Sequence, residues 1–176
     1  MGLLPLLAQA CLSGLATFPE LNARVDAGRA EIVRLPHVHL GFAAQTDHGL
    51  VVPVVRNADR LPLDALAAEL RRLTDLARRD AVPAAHLAGG TFTLNNYGPL
   101  GGDGATPILN HTQTAMLGFG RLVDRPWAVD GRVEVRKFVH LSLTFDHRVC
   151  DGGTAAGFLR HVIARITAAE DPATSQ

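Results

Sequence analysis

The chain has 176 residues, enough for one domain with a buried core, and 47% of them are hydrophobic. Seventeen basic residues balance seventeen acidic ones, so the formal net charge is zero with histidine neutral, which argues against a nucleic-acid or anionic-membrane partner and leaves small molecules or other protein chains. Two cysteines, Cys11 and Cys150, make no disulfide framework and fit reduced thiols in a cytoplasmic protein.

From Leu6 to Phe18, the residues Leu7, Cys11, Leu12 and Leu15 fall at helical spacing and Pro19 marks a stop, which predicts a buried helix. The apolar run from Leu3 to Leu15 is too short to span a bilayer, and no Lys or Arg precedes it as a secretory signal requires. Ala30 to Leu35 and His37 to Gln45 read as strands broken by Pro36. His37 and His39 share a strand face, but no third ligand stands at a recognisable spacing, so no metal is expected. After the turn cluster Thr46-Asp47-His48-Gly49, the run Leu50 to Val55 is apolar throughout, which predicts burial on both faces.

Leu63, Leu66, Leu70, Leu73 and Ala77 form one face of an amphipathic helix suited to covering a sheet. Thr91 to Asn95 is the next strand, and it runs into Asn96 to Gly104, a loop with four glycines and a proline of the kind that is functional or mobile. It is no phosphate loop, because no Gly-Lys-Ser/Thr follows. Thr114 to Phe119 reads as a strand, and Val129-Asp130-Gly131-Arg132 as a hairpin turn.

The last strand, Leu141 to Phe145, ends at Asp146-His147-Arg148, and Asp151-Gly152-Gly153 leads into a helix from Thr154 to Ile166. A histidine therefore stands where a strand stops, with an aspartate four residues on. Alone, this His-x-x-x-Asp-Gly pattern fits a structural histidine as well as a base. Asp171 to Gln176 is polar and reads as a frayed tail.

Five blocks in order extend the pattern: Phe18-Pro19-Glu20-Leu21-Asn22-Ala23, Gly49 to Asp59, Gly89 to Asn96, Thr106 to His111, and Asp146 to Gly152. Together they resemble the catalytic domain of the dihydrolipoamide acyltransferases, the E2 components of 2-oxo acid dehydrogenase complexes. Asn95-Asn96-Tyr97-Gly98 and Cys150-Asp151-Gly152-Gly153 look nearest to the branched-chain type. The resemblance implies an α/β fold like that of chloramphenicol acetyltransferase, a mixed sheet flanked by helices. It implies a homotrimer with active sites between subunits, assembled into a cubic or dodecahedral core. Coenzyme A and a dihydrolipoyl group are the implied substrates, the latter carried on a lipoyl domain that these residues do not include. The E1 and E3 components would be engaged through segments that are likewise absent. The family's catalytic domain begins earlier, so residues 1–170 read as a partial domain.

The implied reaction passes an acyl group between the dihydrolipoyl thiol and coenzyme A. A free thiol, with a pKa near 8.5, is only slightly ionised at neutral pH, so a positioned base helps. The resemblance makes His147 that base, with its second ring nitrogen on its own backbone carbonyl, and Asp151 the residue that orients the loop through an ion pair. Asp146 reads as structural, because it points to the opposite strand face. Where the family places a hydroxyl donor to the oxyanion, fifty-two residues before the histidine, this sequence has Asn95, whose amide N–H can also donate. Asn96, Thr106 and Gly152 are the expected substrate-binding positions; Thr106 serves equally as a turn residue before Pro107. Cys150 reads as a small core-facing thiol and not a nucleophile. Two alternatives remain open: a non-catalytic scaffold or remnant, and a free-standing coenzyme A acyltransferase with a small acceptor.

Overall fold

A computed structural model of the chain describes residues 2–170, so the expected frayed tail lies outside the described residues. In chain order come helix α1 (Leu3–Thr17), strands β1 (Ala23–Asp26), β2 (Glu31–Arg34), β3 (Leu40–Phe42), β4 (Ala44–Thr46), β5 (Gly49–Val51) and β6 (Val54–Val55), and helix α2 (Leu63–Arg78). Strands β7 (Phe92–Asn96), β8 (Ala115–Phe119), β9 (Val123–Val129), β10 (Arg132–Phe138) and β11 (Leu141–Phe145) follow, and helix α3 (Gly152–Glu170) closes the order. Five strands make a mixed sheet in the order β11-β8-β7-β3-β6. Its centre is parallel, β3 to β7 to β8, and the outer strands β6 and β11 run antiparallel to their neighbours.

The helices bury their apolar stripes against the sheet. Leu7, Cys11, Phe92, Leu94, Leu117 and Phe158 belong to one core. Helix α1 packs closely on α3 because glycine replaces a side chain at two crossing points. A Cβ at Gly14 would stand 2.8 Å from the Phe158 ring, and one at Gly157 would stand 2.8 Å from the Phe18 ring. The rings of Phe18 and Phe158 meet edge to face at 6.4 Å, a favoured aromatic geometry. Ser13 and His161 link the same helices with a 2.9 Å hydrogen bond.

Three expectations need correction. The run from His37 to Gln45 is split into β3 and β4, and Leu50 to Val55 is not one buried strand. Strands β4 and β5 form a separate hairpin that leaves Leu50 60% exposed, and Pro53, with no N–H to give a ladder, separates it from the buried pair Val54 and Val55. The glycine-rich loop is also tied down. Asp103 pairs with Arg121 and Arg125, and the backbone N–H of Arg121 donates to Gly102 at 3.1 Å. Gly120 permits this seat, since a Cβ there would fall 2.1 Å from the Asp103 carbonyl oxygen. Strand β2 falls within the expected run Ala30 to Leu35, but β1 was not expected, although the turn between them is signalled by Asp26, whose carboxylate accepts the N–H groups of Gly28 and Arg29.

Candidate active site

His147 stands in a tight turn directly after β11. The N–H of Val149 donates to the Asp146 carbonyl at 3.0 Å, and the N–H of Arg148 donates to Asp146 Oδ1 at 3.0 Å, so Asp146 opens both a β-turn and an Asx-turn. His147 occupies the first central position and is exposed, with its ring 5.7 Å from that of Phe145.

Asp151 follows as the cap of α3. Its Oδ1 accepts the Thr154 N–H at 3.0 Å and its carbonyl accepts the Ala155 N–H at 3.1 Å. The Thr154 N–H holds the Asp151 carboxyl below the usual aspartate range, and the neighbouring His147 adds to the effect. Gly152 opens the helix, exposed, with no atom within 4 Å of where a Cβ would stand. Cys150 is half-buried against the core, and burial raises its thiol, with Asp151 next in effect. That environment favours the protonated thiol.

Asn95 and Asn96 lie elsewhere. Asn95 lies beside Gly118 of β8, which lies beside Ser142 of β11. Asn95 is thus level with the start of β11, whereas His147 stands beyond its end. At about 3.3 Å per residue, the separation along the strands alone exceeds roughly 10 Å. Phe92 and Leu94 face the core, so Asn95 shares the opposite sheet face with Thr93. Pro107 roofs that face: its carbonyl accepts Thr144 Oγ1–H at 2.7 Å, and exposed Thr106 precedes it. Asn96 turns into the loop, its Oδ1 accepting the Gly98 N–H at 3.1 Å. Gly118 joins these parts, because a Cβ there would meet Tyr97 at 2.8 Å, Ser142 Oγ at 2.9 Å and Pro107 at 3.2 Å. Sequence reasoning missed Gly118, because only the strand register sets it opposite Asn95. The expected positions are thus divided: His147, Asp151 and Gly152 lie beyond the end of β11, and Asn95 and Asn96 lie level with its start.

His37 and His39 are otherwise engaged. His37 Nδ1 lies 3.4 Å from Asp59, and His39 Nδ1 accepts the Asn57 N–H at 3.0 Å. Among the described residues, no group of three or more His, Cys, Asp or Glu side chains could hold a metal.

The description "2-oxoacid dehydrogenases acyltransferase (catalytic domain)" matches residues 1–174. The chain belongs to this acyltransferase family. The acyltransferase domain is 44% identical over 172 residues to the lipoamide acyltransferase component of the branched-chain alpha-keto acid dehydrogenase complex of Pseudomonas aeruginosa, covering 98% of this chain and 40% of that protein. It therefore spans about two fifths of the length of the curated relatives it matches. Azotobacter vinelandii dihydrolipoamide acetyltransferase superposes with a TM-score of 0.85 at 38% identity, covering 92% of this chain and 67% of that one. That enzyme was solved to establish the catalytic roles of a serine, a histidine and an asparagine whose spacings match those of Asn95, His147 and Asp151. The cubic core of a pyruvate dehydrogenase multienzyme complex gives a TM-score of 0.85 at 37% identity, with 92% and 67% covered. Chloramphenicol acetyltransferase, 16% identical with a TM-score of 0.61 over 94% of this chain and 78% of that one, shares the fold. The expected fold class and family are borne out.

Proposed function

We infer that the domain transfers an acyl group between a dihydrolipoyl thiol and coenzyme A, with His147 as general base, at sites built between two copies of the chain. The observation that carries this reading is the division of the family's functional positions between the two ends of one sheet. A histidine and an oxyanion donor on opposite ends cannot act on one carbonyl within a chain. Two copies set end to end bring them together.

The steps follow from the groups. The imidazole takes the proton from the coenzyme A thiol, and the thiolate sulfur bonds to the thioester carbon. Charge collects on the carbonyl oxygen, where the Asn95 amide N–H of the second copy donates, an interaction of roughly 3 to 4 kcal/mol when well aimed. The carbon–sulfur bond to the dihydrolipoyl group then breaks, and the departing sulfur takes the proton back from the imidazolium. No enzyme nucleophile is required, in keeping with the raised Cys150 thiol. Self-association is supported by the β9–β10 hairpin, which exposes Trp127 (53%), Val133 (78%) and Val135 (73%). In the larger assembly the domain would act as a homotrimeric, cytoplasmic core unit, with the lipoyl domain and the E1 and E3 contacts supplied by other segments.

The test is acyl transfer from a short branched acyl-coenzyme A to free dihydrolipoamide, for the wild-type chain beside His147→Ala. Turnover lost in the variant supports the reading. Turnover equal in both, at background, contradicts it.

A further inference from the structure

The turn that carries His147 is anchored at every position except the histidine. The Asp146 N–H donates to the Thr114 carbonyl at 2.8 Å. Thr114, only 1% exposed, is itself locked to the start of β1: its hydroxyl donates to the Ala23 carbonyl at 3.0 Å and accepts the Ala23 N–H at 3.3 Å. The Asp146 carboxylate then takes the Arg148 backbone N–H at 3.0 Å, Arg148 Nε at 3.0 and 3.1 Å, and Arg148 Nη2 at 2.6 Å. Val149, 8% exposed, plugs the end of the turn into the interior.

We propose that Asp146 and Arg148 are positioning residues, a two-residue clamp that fixes the backbone on both sides of His147 and so aims its imidazole at the neighbouring copy. A lone exposed ion pair contributes little to stability. This one closes on a single peptide stretch, where the planar guanidinium fork spans both carboxylate oxygens and restrains the residue lying between. The Arg148 guanidinium also holds the Asp146 carboxyl below its usual range, so the clamp stays closed across the neutral pH range.

The inference rests on His147 being the base, so its test carries a readout that does not depend on turnover. Amide hydrogen exchange at Arg148 and Val149 is measured beside steady-state acyl transfer in the wild-type chain, Asp146→Ala, Arg148→Ala and the double variant. Arg148 is 67% exposed, so removing it leaves the fold intact. Exchange at both amides should quicken about tenfold or more in Asp146→Ala while the melting temperature holds, as expected for a local opening. The kcat should fall about ten- to a hundredfold, with both KM values held within about twofold, as a misaimed group predicts. The double variant should be no worse than Asp146→Ala, because the two side chains act as one unit. Unchanged exchange overturns the clamp, whether or not the chain turns over. So does an unchanged kcat in an active chain. A wild-type chain without turnover overturns the base assignment instead, and the exchange rates still decide whether the clamp exists.

Discussion

The roles proposed for Asn95 and Asp151 differ, and each makes its own prediction. Asn95→Ala should lower kcat by about a hundred- to a thousandfold with little change in KM, the signature of a lost oxyanion donor, measured by steady-state acyl transfer. Asn95→Ser should retain much of the activity, since a hydroxyl can also donate from that position. Asp151→Ala removes the cap of α3 and should lower the melting temperature by a few degrees in calorimetry at neutral pH. Because the Thr154 N–H depresses the Asp151 carboxyl in the folded state, this contribution is full above the unfolded aspartate value of about 4 and fades as pH falls through the lower folded value. The difference between variant and wild type should therefore be constant at neutral pH and shrink only in acid. Both positions were named from the family resemblance, which fixes their spacing from His147 along the chain. That they lie apart along the sheet was not legible, since strand register, not spacing, decides which end of a sheet a residue occupies.

Elements with strong periodicity were readable before the fold was seen. Helix α2 spans Leu63–Arg78, and of the predicted apolar face Leu66, Leu70, Leu73 and Ala77 are buried while Leu63, at the helix start, is half-buried. Strands β7 and β8 also fall where the apolar runs placed them. The hairpin turn of β9–β10 shows Asp130 and Gly131 at φ 49° and 76°, the left-handed pair that Asp-Gly favours. Short strands broken by Pro53 were misread because a continuous apolar run does not reveal where a hairpin leaves the sheet. The α1–α3 crossing was invisible for another reason: Gly14 and Gly157 matter through neighbours distant in sequence. Gly14→Ala gains about 0.5 to 1 kcal/mol of helix preference. It would have to displace Phe158, which is fully buried, at about 1 to 3 kcal/mol for overpacking, so the variant should be destabilised in urea. Gly157→Ala presses on Phe18, which is only partly buried and has room to shift, and should cost less.

At the level of the whole molecule, the chain leaves apolar surface uncovered. A groove of about 370 Å³ lies beside edge strand β11, lined by residues that include Leu3, Leu6, Leu122, Leu141 and Ile163, and the β9–β10 hairpin is exposed along most of its length. With no net charge to hold copies apart, such a chain should sediment as an oligomer. Val133→Asp on the hairpin should shift it toward the 18.7 kDa single chain. The central claim, that each site takes His147 from one copy and Asn95 from another, is tested most directly by subunit complementation. Asn95→Ala and His147→Ala chains, each at background in acyl transfer, are unfolded together in equal amounts, refolded and assayed. Random assembly into a ring restores both groups in about a quarter of the sites, so activity should return to about that fraction of wild type. Activity no greater than the sum of the two variants, beside an active wild-type chain refolded in the same way, would contradict a site shared between copies.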